Sequence, residues 1–191
     1  MSFVSIIARE NFISVMSDGR VMYGNEIIQE DYQKFIKIND QSFVAFAGSK
    51  EICEIFIEEV RTIVNQNSNI INYLHSLVGR FNQLSLNNHG LKVMLGIGGI
   101  NSNQEIEFHT INSIDNQILN FSPKGEMISY AFLNNTKYDD SVLVNKLIET
   151  LGQTGFGVVK EVKKAQKILN DFVAATDQTV NDTTYHVGIE K

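Results

Sequence analysis

The chain has one cysteine, one proline and no tryptophan in 191 residues. A single thiol excludes an internal disulfide framework and a zinc site built on cysteines. Cys53 falls among Ile52, Ile55 and Phe56, where a buried helical thiol in a reducing cytoplasm is expected. Basic residues are also few. With 16 Lys and Arg against 22 Asp and Glu, the formal charge of −6 argues against a nucleic-acid partner. A general binder needs a basic surface to displace counterions from phosphate. No apolar run approaches the length of a membrane span, and no basic segment with an apolar signal core opens the chain. Neither a membrane partner nor export is therefore expected. His75 and His89 lack partner spacing, so no metal is expected there. Gly96-Ile97-Gly98-Gly99 lacks the Lys-Ser/Thr of a phosphate loop and reads as a strand end or bulge.

What is present suits one globular domain over residues 1–191, with 43% hydrophobic and 20% charged residues. The stretch from Ser2 to Gly48 organises it. Ser2 to Arg9 and Phe12 to Ser17 alternate as a hairpin around Glu10-Asn11, closed by the turn signal Asp18-Gly19. Val21-Met22-Tyr23 and a polar loop follow. Lys34 to Ile38 and Phe43 to Ala47 then flank a turn at Asn39-Asp40, and Gly48 ends the last strand.

A helical pair comes next. Ile52, Ile55, Phe56, Val60, Ile63 and Val64 recur at helical spacing until the break at Asn65-Gln66-Asn67-Ser68. Ser68 can cap a second helix carrying Ile71, Leu74, Leu77, Val78, Phe81 and Leu84, which stops near Asn87-Asn88. Strand patterns return over Leu91 to Gly98, Glu105 to Ile111, Gln117 to Phe121 and Glu126 to Leu133, with His109 on a polar strand face. Two helices follow, from about Asp139 to Leu151 with Gly152 as its stop, and from about Val158 to Ala175. The second carries a basic stripe of Lys160, Lys163, Lys164 and Lys167, read as a solvated face. Thr183 to Ile189 closes the chain as a strand.

Ser2, Asp18-Gly19, Lys34 and Phe46-Ala47-Gly48 stand in one ungapped register that resembles the N-terminal-nucleophile hydrolases of proteasome β-subunit type. These include the peptidase subunit of the bacterial two-component protease. The element order fits that family's four-layer αββα sandwich, an α+β fold of two antiparallel sheets covered by helices. The resemblance implies a homo-oligomer, in this family a ring, and a chemistry that needs no cofactor.

It also implies roles. Ser2 is the expected nucleophile once Met1 is removed, and a Met-Ser start suits that processing. The freed α-amine titrates near pH 8 and can accept the hydroxyl proton. Lys34 lowers the hydroxyl pKa through its charge, Asp18 pairs with Lys34, and the Gly48 N–H faces the oxyanion. Val21, Tyr32, Phe46 and Lys50 align with substrate-pocket positions. Taken alone, a Lys opening a strand and an Asp before Gly are ordinary edge and turn residues.

The later motifs depart from the family. Its Ser-Gly-Gly after the strand ending near Leu133 is missing, with Ser129 falling inside that strand. Its late Asp is Thr179, with Asp177 and Asp182 nearby. Three readings follow: an N-terminal Ser hydrolase cutting amide bonds in peptides, a catalytically silent homologue that assembles or binds, and an amidohydrolase acting on a small amide.

Overall fold

Phe3–Arg9 forms β1 and Phe12–Asp18 forms β2, paired so that Ile6 lies opposite Val15. The structure, a computed structural model, describes residues 2–65, 70–84 and 91–191. Ser129–Asn134 (β10) adds to the outer side of β1, and Thr184–Glu190 (β11) to that of β2, giving an antiparallel sheet ordered β10-β1-β2-β11. A second antiparallel sheet runs in chain order through Phe35–Asn39 (β5), Ser42–Gly48 (β6), Val93–Ile100 (β7), Ile106–Asn112 (β8) and Ile118–Phe121 (β9). Val21–Tyr23 (β3) and Glu26–Gln29 (β4) make a separate two-stranded ribbon.

The central strands β1, β2, β6 and β7 are buried along nearly their whole length, which explains their mainly apolar sequences, whereas the edge strands β5, β9, β10 and β11 are partly exposed. On β1, alternate residues part company. Val4, Ile6 and Ala8 join Ile13 and Val15 of β2 against Phe43, Ala45 and Phe108 of the other sheet. Phe3 and Ile7 instead face helices α3 (Asp140–Thr154) and α4 (Val159–Ala174), meeting Leu147, Val162 and Leu169. Helices α1 (Lys50–Asn65) and α2 (Ile70–Gln83) cover the five-stranded sheet, with Phe56, Leu74 and Leu77 on Leu95 and Ile97. The result is the expected αββα sandwich. Among the described residues no helix is long and apolar enough to cross a membrane.

Several local readings change. The polar loop after Tyr23 contains β4, whose neighbouring Ile27 and Ile28 are both exposed and give no alternation to read. On α1, Cys53, Phe56, Ile57 and Val60 define the buried stripe, so Ile57 faces the sheet and Ile55 faces out. Leu84 lies past the end of α2 and is exposed. The Gly96–Gly99 run is inside β7 rather than at a strand end. His109 is buried rather than solvated, with Nδ1 at 2.7 Å from the Asn120 side chain and Nε2 at 3.6 Å from Glu107 Oε1. Helix α3 continues through Gly152. It stops at Gly155, whose φ of 85° accommodates the turn while its N–H bonds to the Leu151 carbonyl. Helix α1 runs through Asn65, while Met1, the rest of the break at 66–68 with Ser68 as cap, the side chains of Val64 and Ile71, the stop at Asn87-Asn88, and His89 lie outside the described residues. Cys53 is buried as expected, and burial pushes its thiol up to about 12.

Close approach of the two sheets depends on Gly96. A Cβ there would stand 2.4 Å from Ile6 Cδ1, the tip of a fully buried side chain. Gly96→Ala is expected to destabilise the protein by about 1–2 kcal/mol through overpacking. Ile6→Val deletes the offending methyl, so the double variant should recover about 1 kcal/mol relative to additivity in denaturant unfolding. Strict additivity would contradict this packing.

Candidate active site

Ser2 enters the fold immediately before β1 and is itself buried. Its position is fixed through the backbone. The Ser2 carbonyl accepts from the Asn135 N–H at 3.1 Å. The next N–H, of Phe3, donates to Asp18 Oδ1 at 2.9 Å. Antiparallel pairing of β1 with β2 brings these residues together, because the start of one strand lies beside the end of the other.

Asp18 is 0% exposed and Lys34 2% exposed. The Lys34 ammonium donates to Asp18 Oδ1 at 2.5 Å, and the Arg20 N–H donates to Oδ2 at 2.9 Å. The Lys34 N–H reaches Ser17 Oγ at 3.3 Å, which seats the start of β5 against the end of β2. Burial lowers the Lys34 pKa, and the Asp18 charge and hydrogen bond oppose that shift. A buried cation next to a buried carboxylate costs about as much in desolvation as it recovers in attraction, so stability alone does not explain its placement.

Gly48 ends β6 with a φ of 118°. A Cβ at this position would fall 1.9 Å from the Lys92 carbonyl oxygen, so only glycine fits. Ser2, Lys34 and Gly48 open onto one cavity of about 540 Å³. Val21, Tyr32, Phe46 and Lys50 line the same cavity, as the register implies. The wall is ordered: Tyr32 meets Phe46 edge-on at 6.0 Å, and Lys50 holds its ammonium 4.3 Å above the Tyr32 ring. The Tyr32 hydroxyl donates to Glu54 at 2.8 Å. Met22, Tyr23 and Ile28 of the β3–β4 ribbon complete a largely apolar lining.

The residues that support these positions carry no sequence signal of their own. Asn181 Oδ1 accepts from the Gly19 N–H at 2.8 Å and so anchors the Asp18-Gly19 turn. Ser129 opens β10 opposite Ala8, at the far end of β1 from Ser2. The residue that follows β10 and meets Ser2 is Asn135. Asp177 accepts from the Thr179 N–H of its own loop at 3.0 Å and from the Lys137 N–H of the turn after β10 at 2.9 Å. Asp182 is exposed.

Two packed sheets between helical pairs, with a serine leading the first strand beside a buried Lys–Asp pair, define the architecture of the N-terminal-nucleophile hydrolases. The model of the proteasome subunit family matches residues 5–105, just over half of the chain, and the chain belongs to that family. The crystal structure of eukaryotic HslV from Trypanosoma brucei superposes over 99% of each chain with a TM-score of 0.72 at 16% identity, a likeness of fold. No curated protein matches the sequence.

The pair can be tested directly. Asp18→Asn leaves the Lys34 cation buried without a counter-charge and should cost about 3–5 kcal/mol at neutral pH. The folded pKa of Lys34 already lies below its ordinary 10.5, so between the two values the unfolded chain binds more protons. Stability contributed by this group therefore rises with pH there, and more so without Asp18. The deficit of Asp18→Asn against wild type should narrow as pH is raised toward 10, measured by urea unfolding. A deficit independent of pH would show that Lys34 is not the source.

Proposed function

We propose that residues 1–191 act as one proteasome-like domain, an N-terminal serine peptidase with processed Ser2 as nucleophile. The single observation that carries this reading is the buried Lys34–Asp18 pair, bonded through Asp18 to the Phe3 N–H of the Ser2–Phe3 peptide group, with Lys34 and Ser2 lining one cavity. Family membership supports the same reading.

In this mechanism Ser2 Oγ attacks the substrate carbonyl while the free α-amine takes its proton. The Lys34 charge favours the alkoxide, and the Gly48 N–H stabilises the oxyanion that forms. The amine then returns the proton to the departing amine as the scissile C–N bond breaks, leaving an acyl-Ser2 ester. Water, deprotonated by the same amine, hydrolyses that ester and restores the hydroxyl. The apolar lining of Val21, Tyr32 and Phe46 suits an apolar peptide side chain. A homo-oligomeric ring and a cytoplasmic location belong to the same proposal. The exposed Tyr23, Ile27 and Ile28 beside the cavity offer apolar surface to a neighbouring copy.

The test begins with protein shown by mass to start at Ser2. Treated with a β-lactone, it should acquire one acyl group on Ser2, and light scattering should return a multiple of 21.5 kDa. Ser2→Ala should fold normally and take no label. Lys34→Ala should be labelled at least tenfold more slowly, and protein retaining Met1 should stay inert. Mature, folded wild type that takes no label and turns over no peptide would contradict the proposal. A monomer would remove the ring alone.

A further inference from the structure

We propose that Lys92 is a positioning residue for Ser2, acting through two peptide groups in series that end on Asp18. The inference rests on the reading of Ser2 as nucleophile. Lys92 immediately precedes β7 in the five-stranded sheet, and its ammonium donates to the Asn134 carbonyl, at the end of β10 in the other sheet, at 2.7 Å. That bond spans the two layers at the end where Ser2 lies, since β1 and β10 pair Phe3 with Asn134.

The Asn134 carbonyl and the Asn135 N–H belong to one rigid, planar peptide group. Lys92 grips its oxygen, while its hydrogen is directed to the Ser2 carbonyl at 3.1 Å. The Ser2 carbonyl and the Phe3 N–H belong to the next peptide group, whose hydrogen is directed to Asp18 Oδ1 at 2.9 Å. Every donor points the same way, from the Lys92 cation to the Asp18 anion, which also receives Lys34. Each peptide dipole is therefore aligned between a positive and a negative charge, and aligned hydrogen bonds strengthen one another. The relay fixes the plane that carries the Ser2 Cα, and with it the direction in which Oγ can point.

The turn after β10 is built to hold this plane. Asn134 Oδ1 accepts from the Thr136 N–H and hydroxyl at 2.9 and 2.7 Å, and Asn134 Nδ2 donates to the Tyr138 carbonyl at 2.8 Å. This turn occupies the place of the Ser-Gly-Gly that the chain lacks. Lys92 also serves the opposite wall, because its carbonyl accepts from the Ser49 N–H at 2.9 Å and packs against Gly48. One residue thus sets both the nucleophile side and the oxyanion side of the cavity. Burial lowers the Lys92 pKa, while Asp140 and Asp115, the charged groups acting on it, raise it.

The experiment uses protein starting at Ser2 and the β-lactone. In Lys92→Met the maximal labelling rate should fall at least tenfold while the probe's half-saturating concentration stays unchanged, since a misplaced nucleophile loses rate rather than binding. Lys92→Arg should restore most of the rate. Amide exchange at Asn135, followed by NMR, should quicken in Lys92→Met and return to normal in Lys92→Arg. If Lys92→Met does not fold, Lys92→Gln, which keeps a donor without the charge, is measured in the same way and should fall between the two. Labelling at the wild-type rate, or unchanged Asn135 exchange, would overturn the positioning role alone. A wild type that takes no label would overturn the nucleophile reading and this inference together.

Discussion

One buried carboxylate holds the candidate site together. Asp18 accepts from the Lys34 ammonium and from the N–H groups of Phe3 and Arg20, and so ties the start of β1, the end of β2 and the residue before β5. Its charge makes a fully buried lysine tolerable, and the lysine makes the buried carboxylate tolerable. Removing either leaves the other as a buried unpaired charge. The sheets provide the framework: β1 and β2 place Ser2 near Asp18, β5 brings Lys34 across, and β6 ends at Gly48 facing the same space.

The departures from the family pattern are concentrated in one region. Where a Ser-Gly-Gly is expected the chain has an asparagine-rich turn, and where a late Asp is expected it has Thr179. The two replacement loops are fastened to each other: Asp177 receives the Lys137 N–H, and the Lys137 ammonium reaches the Thr176 carbonyl at 2.5 Å. The first of these loops also gives its Asn135 N–H to the Ser2 carbonyl.

Much of the fold was legible because alternation and helical spacing report burial directly. β1, β2, β6 and the helical pairs follow from their apolar patterns. The ribbon strand β4 was not legible, since a strand held by backbone bonds and exposed to solvent leaves no such pattern. Ile55 and Ile57 show a similar limit: both fit an apolar helix, and only the direction of the sheet decides which is covered. The site divides in the same way. Ser2, Asp18, Lys34 and Gly48 lie in one short stretch with a recognisable spacing. Lys92, Asn135 and Asn181 act through backbone atoms or long-range contacts between sheets, for which no spacing exists to be read.

The central claim is that the Lys34–Asp18 pair supports a nucleophile at Ser2, and its most direct test is a crystal structure of the chain beginning at Ser2 after reaction with a β-lactone. The account predicts continuous density from Ser2 Oγ to the acyl carbon, the acyl oxygen turned toward the Gly48 N–H, and Lys34 still bonded to Asp18. An adduct on another residue, or an unmodified Ser2 with its hydroxyl directed away from Lys34, would contradict it.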